Sequence, residues 1–159
     1  DDPLPDTPRH QVVLDAAFGD HQVANVTTEM EARTIGADIR QPALAKGRHP
    51  GSKPYYGLHA PNGYPTSRSL LVYWDSGTLP PPESNITPAS SDAYRRRCGD
   101  LKDDDAVDHS VPCHDPHEDP RRAPGSIRQK DAFFRPDGKI IDPCDGKPCT
   151  AKLRADLDY

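Results

Sequence analysis

Apolar residues alternate through Val12, Leu14, Ala16 and Phe18 of HQVVLDAAF, and a period of two marks a strand with one face toward a core. The next stretch, HQVANVTTEMEARTI, mixes β-branched residues with alanine, so the region from His10 to Ile39 is expected to be strand first. SRSLLVYW, Ser67 to Trp74, is the strongest strand pattern in the chain. Its large apolar and aromatic residues are bounded by turn formers, and it is expected to cross the centre of the core. In DAFFRPDGKIID, Asp131 to Asp142, Pro136 and Asp137 stand between two apolar pairs. That pattern predicts a β-hairpin with Gly138 at positive φ.

Between these elements the pattern breaks down. Residues 40–66 hold four glycines and five prolines with no sustained period, as a long irregular segment would. Residues 1–9 carry three prolines and predict an extended, polyproline-like arm. The rest, 10–159, reads as one domain: an N-terminal half at 10–79, a proline- and serine-rich linker at 80–93, and a cysteine-bearing half at 94–159. No repeat or heptad appears. The expected fold is mainly β with extensive irregular structure, a small single domain stapled by disulfides behind an extended N-terminal arm.

Composition makes the core thin. Leu, Ile, Val and Phe number 26 of 159 residues, below the ~20% at which disorder becomes a competing expectation. The net charge is only −5, with 25 acids against 20 bases, so self-repulsion does not add to the deficit. Order must therefore come from cross-links, ions or partners. Cys98, Cys113, Cys144 and Cys149 supply an even count suited to an oxidising compartment. Local pairing is expected, Cys98 with Cys113 and Cys144 with Cys149, because both pairs close short loops rich in turn formers. Asn25-Val-Thr27 and Asn85-Ile-Thr87 are sequons for glycosylation. The chain opens on polar residues and has no long apolar run, as mature secreted material would.

Three clusters carry candidate chemistry. VPCHDPHEDP sets His114 and His117 three apart among carboxylates, with His109 upstream, a nitrogen and oxygen donor set suited to zinc. DLKDDDAVDH, with Asp103, Asp105 and Asp108, offers the dense hard oxygens that calcium takes, without the EF-hand order. Tyr55, Tyr56, His59 and Tyr64, with Trp74, could stack on a sugar or a base.

Other classes fall away. There is no G-x-S-x-G and no glycine-rich phosphate loop, and the arginine clusters at 95–97 and 121–122 are bordered by aspartates, so no basic nucleic-acid surface forms. No catalytic residue is assigned. The expectation is a secreted, extracellular structural or interaction protein, ordered by disulfides and by self-assembly or partner contacts, with a bound divalent cation, calcium or zinc. Its partners would be copies of itself, another extracellular protein or carbohydrate, with no nucleic acid and no membrane span. The alternatives are a secreted metal-dependent hydrolase and a carbohydrate-binding module.

Overall fold

The computed structural model of the chain describes residues 3–99 and 113–151. Three strands, β1 (Val13–Ala17), β2 (Asp38–Ile39) and β3 (Leu70–Trp74), form a parallel sheet in the order β1-β3-β2. Helices α1 (Asn25–Thr34), α2 (Asp92–Cys98), α3 (Asp119–Arg122) and α4 (Pro124–Phe133) surround it. On one face Ala16, Phe18, Leu71 and Tyr73 pack with Ala32 of α1. On the other, Leu70, Val72 and Trp74 pack with Ala123, Ile140 and Cys149, with Phe133 of α4 against them. The expected mainly-β fold is thus corrected to a layered α/β arrangement. The sign of it lies in LLVYW, an unbroken apolar run with every residue buried. Covering both faces of a parallel sheet removes the alternation that a one-sided strand would show.

The strand expected across residues 25–34 is a helix. Only Asn25, Glu29 and Ala32 of α1 are buried, so the helix carries no apolar stripe that the sequence could reveal. It docks through polar groups instead. Asn25 Nδ2 donates to the Ala17 carbonyl (2.7 Å) and its Oδ1 accepts the Gly19 N–H (3.0 Å), while the Tyr73 hydroxyl donates to Glu29 Oε1 (2.8 Å). Asn25 is thereby withdrawn as a glycan acceptor, because its amide is buried and engaged at both atoms. Asn85 is exposed, with Oδ1 accepting the Ala24 N–H at 2.7 Å at the start of α1.

The hairpin expected at 131–142 is also corrected. Asp131 to Phe133 finish α4, and Ile140 instead bridges Thr66 in antiparallel fashion. The Arg135–Gly138 turn does form, closed by the Gly138 N–H on the Arg135 carbonyl (2.8 Å). Gly138 is absent from the positive-φ glycines. Close approach requires it, since a Cβ there would sit 2.0 Å from the Phe133 carbonyl oxygen. The described arm residues are exposed, and a turn from Leu4 to Thr7 interrupts the expected extension.

Both disulfides form as expected, Cys98 with Cys113 and Cys144 with Cys149. The second sits beside the end of β3, where Asp75 N–H donates to the Cys149 carbonyl (3.1 Å) and Ala151 N–H to the Asp75 carbonyl (3.2 Å). Among the described residues no helix is long and apolar enough to cross a membrane.

β1 is an edge strand. The Leu70 N–H donates to the Val12 carbonyl (2.9 Å) and the Phe18 N–H to the Trp74 carbonyl (2.8 Å). In a parallel ladder this turns the even-numbered backbone groups toward β3 and those of Val13, Asp15 and Ala17 away from it.

Candidate active site

All three strands run the same way, so their carboxyl ends share one rim, the usual place for a site in an open α/β sheet. Asp20 stands on that rim three residues after β1. The intervening Gly19 has φ +97°, and a Cβ on it would lie 2.5 Å from Thr78 Oγ1, so the turn needs glycine on both counts. Asp20 is 5% exposed, and its Oδ1 accepts the N–H groups of Gln22 (2.8 Å) and Val23 (2.9 Å). Its Oδ2 faces His117 Nδ1 at 2.9 Å.

His117 sits on the 3-10 turn Pro116–Glu118, which packs against β1 and leads into α3. Proline at the first position of the turn and Asp115 before it favour this conformation, and Asp115 Oδ1 accepts the His117 N–H (3.2 Å). An ionised carboxylate only accepts, so Nδ1 carries the hydrogen and the neutral ring keeps its lone pair on Nε2. Among the described residues Nε2 meets no hydroxyl or thiol; Glu118 Oε1 is 3.7 Å away. A cleft of ≈ 230 Å³ opens beside the pair, bordered by Asp20, His117 and Arg121, by Ala16 and Ala17 of β1, and by Lys130 of α4.

His114 does not join His117. Its Nε2 lies 2.7 Å from Asp119 Oδ2, which also accepts from the Ser76 hydroxyl beyond β3. Tyr94 of α2 braces this side, donating from its hydroxyl to the His114 carbonyl (3.1 Å) and setting its ring edge-on to His21 (4.4 Å). Burial first, and Asp115 second, push the Tyr94 hydroxyl well above its usual range.

The predicted zinc cluster is therefore split. His114 and His117 are held by different carboxylates, and no group of three metal-ligating side chains converges among the described residues. His109, Asp103, Asp105 and Asp108 lie outside the described residues.

The stacking candidates are dispersed as well. Trp74 is 1% exposed and donates from Nε1 to Asp15 Oδ1 (2.8 Å). Tyr55 packs against the core, where burial and then Glu29 push its hydroxyl up to about 12. Tyr64 is half-buried, its hydroxyl pushed up to about 12 chiefly by burial. Tyr56 and His59 are exposed.

The sequence reading missed Asp20 and Ser76, and took Asp119 only as one carboxylate of the histidine cluster. A legible trace of Asp20 exists, a glycine and a carboxylate directly after an alternating strand, the position where α/β sheets place their sites. Comparison with protein families, with curated proteins and with solved structures finds no match to this chain.

Proposed function

We propose that this chain carries the acid and base of an extracellular hydrolase that acts through a nucleophile, with Asp20 orienting His117 and His117 moving the proton. The observation that carries this reading is the 2.9 Å contact between Asp20 Oδ2 and His117 Nδ1, with Nε2 left unengaged by any hydroxyl or thiol beside a cleft. In acyl transfer such an imidazole takes the proton of an attacking hydroxyl or thiol and returns it to the leaving group, while the carboxylate fixes its tautomer and steadies the imidazolium.

The order of acid, base and nucleophile along the chain differs among unrelated triads and does not locate the nucleophile; on this reading a partner polypeptide supplies it, since Nε2 meets no hydroxyl or thiol among the described residues. Two small clefts beside β1, one lined by Asp20 and His117 and one by Val13, Phe133 and Phe134, support that route. The expectation of a protein partner is thus retained in a more specific form. Two disulfides support an oxidising compartment, and the exposed Asn85 keeps one sequon open to a glycan. A calcium ion at Asp103, Asp105 and Asp108 stays compatible with this function and is not required by it.

The test is hydrolysis of p-nitrophenyl acetate by the purified chain, since an oriented imidazole cleaves activated esters slowly without the hydroxyl. The rate should drop in His117→Gln to that of the remaining side chains. Equal rates for wild type and His117→Gln would defeat the proposal.

A further inference from the structure

His117 sits on a single 3-10 turn followed by the four-residue α3. Elements this short cannot hold an imidazole by their own hydrogen bonds. Direction must come from outside, and a misplacement of ~1 Å at a reacting group costs ~10²-fold in rate.

Two carboxylates, each two residues from His117, supply it. Asp115 ties the turn toward β1: its Oδ1 accepts the His21 N–H (3.3 Å) besides that of His117, and its Oδ2 lies 3.4 Å from Gln22 Nε2. Asp119 ties the turn to β3 and is the more deeply placed, 6% exposed. One oxygen, Oδ2, receives both the Ser76 hydroxyl, two residues after β3, and His114 Nε2. Its backbone carbonyl accepts the Ala123 N–H (3.1 Å), closing α3.

A buried carboxylate is a poor way to add stability, because desolvation consumes much of what its hydrogen bonds return. Its advantage is geometric, since two donors converging on one oxygen define a direction that apolar packing leaves loose.

We propose that Asp119, held by Ser76 and His114, is a positioning residue that aims His117 Nδ1 at Asp20 and so keeps the lone pair on Nε2. The inference rests on the reading of His117 as a base. Strand β1 presents the acid, strand β3 presents the anchor for the base, and their parallel pairing from Val13 with Leu70 to Ala17 with Trp74 fixes the two loops in register.

The experiment is 15N NMR of the histidine side chains in the purified chain, comparing wild type with Asp119→Asn, Ser76→Ala and Tyr73→Phe. The last variant breaks the Tyr73–Glu29 hydrogen bond on the opposite face and controls for general loosening. In wild type His117 should report the Nδ1–H tautomer with a slowly exchanging hydrogen. Asp119→Asn should speed that exchange by ~10-fold or more, the weight of one charge-assisted hydrogen bond, and shift the ring toward the Nε2–H tautomer. Ser76→Ala should do the same to a smaller extent, and Tyr73→Phe should leave the signals unchanged.

Wild-type shifts and exchange in folded Asp119→Asn and Ser76→Ala overturn the positioning role while leaving the base reading intact. If Asp119→Asn does not fold, Ser76→Ala decides alone. A mixture of tautomers at His117 in wild type overturns the base reading and the positioning role together.

Discussion

Arg40 Nε lies 2.8 Å from Asp142 Oδ1, joining the residue after β2 to the loop closed by Cys144 and Cys149. The guanidinium is 1% exposed, and its Nη1 donates to the Pro42 carbonyl (2.8 Å). Asp142 is partly exposed, but removing it leaves the buried guanidinium charged and uncompensated, at a cost of ~3–5 kcal/mol. Asp142→Ala should therefore lower the unfolding free energy by about that amount in urea at neutral pH. A loss under ~1 kcal/mol, the range of exposed pairs, would mean that water screens Arg40.

The pH dependence of stability should fall in two steps. Burial drives the His49 ring below its ordinary 6.5, against the opposing pull of Glu29. The unfolded chain then takes up this proton first, so stability declines as pH drops through 6.5 toward the folded value. For Asp142 burial pushes the carboxyl up, but the Arg40 hydrogen bond and the N–H groups of Cys144 and Gly146 outweigh it, and the net shift is below 3.8. Its contribution is present above 3.8 and is lost as pH falls through the folded value. Thermal midpoints measured from about pH 8 down to about pH 3 should lose the upper step in His49→Gln and keep the lower one. An unchanged upper step in that variant would remove His49 from the account.

The two disulfides should differ in weight. Cross-links stabilise chiefly by restricting the unfolded chain, more so for longer loops. The Cys98–Cys113 bridge spans 15 residues and the Cys144–Cys149 bridge 5, which on the loop-entropy account gives ~3 and ~2 kcal/mol. The first bridge also ends one residue before His114, beside the carbonyl that Tyr94 holds. Cys98→Ser with Cys113→Ser should thus cost more stability than the other double variant, and should also weaken His117-dependent ester hydrolysis. Equal activity in both variants would show that α2 does not brace the site.

Legibility in the sequence followed the kind of contact involved. LLVYW was readable as the central strand because five consecutive buried residues leave a bare apolar run, and the disulfide pairs because short loops leave few alternatives. Helix α1 was not readable, since Asn25 and Glu29 dock it by hydrogen bonds to Ala17, Gly19 and Tyr73 rather than by apolar spacing. DAFF looked like half of a hairpin because the Pro136–Gly138 turn is real, while the segment before it is the end of a helix. Within the site, His117 stood out in VPCHDPHEDP, but its partner lies 97 residues away. Only the fold, pairing β1 with β3, selects Asp20 over the many other aspartates.

Asp20 performs two tasks with two oxygens, and substitutions can separate them. Its Oδ1 closes the turn by accepting from Gln22 and Val23, while its Oδ2 holds His117. Asparagine retains an Oδ1 acceptor but presents an NH₂ to Nδ1, which then must accept, so the ring's hydrogen moves to Nε2 and the lone pair there is lost. In a complete Ser-His-Asp site the same exchange of acid for amide lowers turnover by ~10⁴-fold with the geometry intact. Asp20→Asn should therefore unfold near the wild-type urea midpoint while its His117-dependent hydrolysis of p-nitrophenyl acetate collapses. Asp20→Ala should lose activity and also ~1–2 kcal/mol of stability, because two N–H groups lose their acceptor. Matched activity in Asp20→Asn and wild type would show that the carboxylate serves the turn alone, and that His117 is oriented by something other than Asp20.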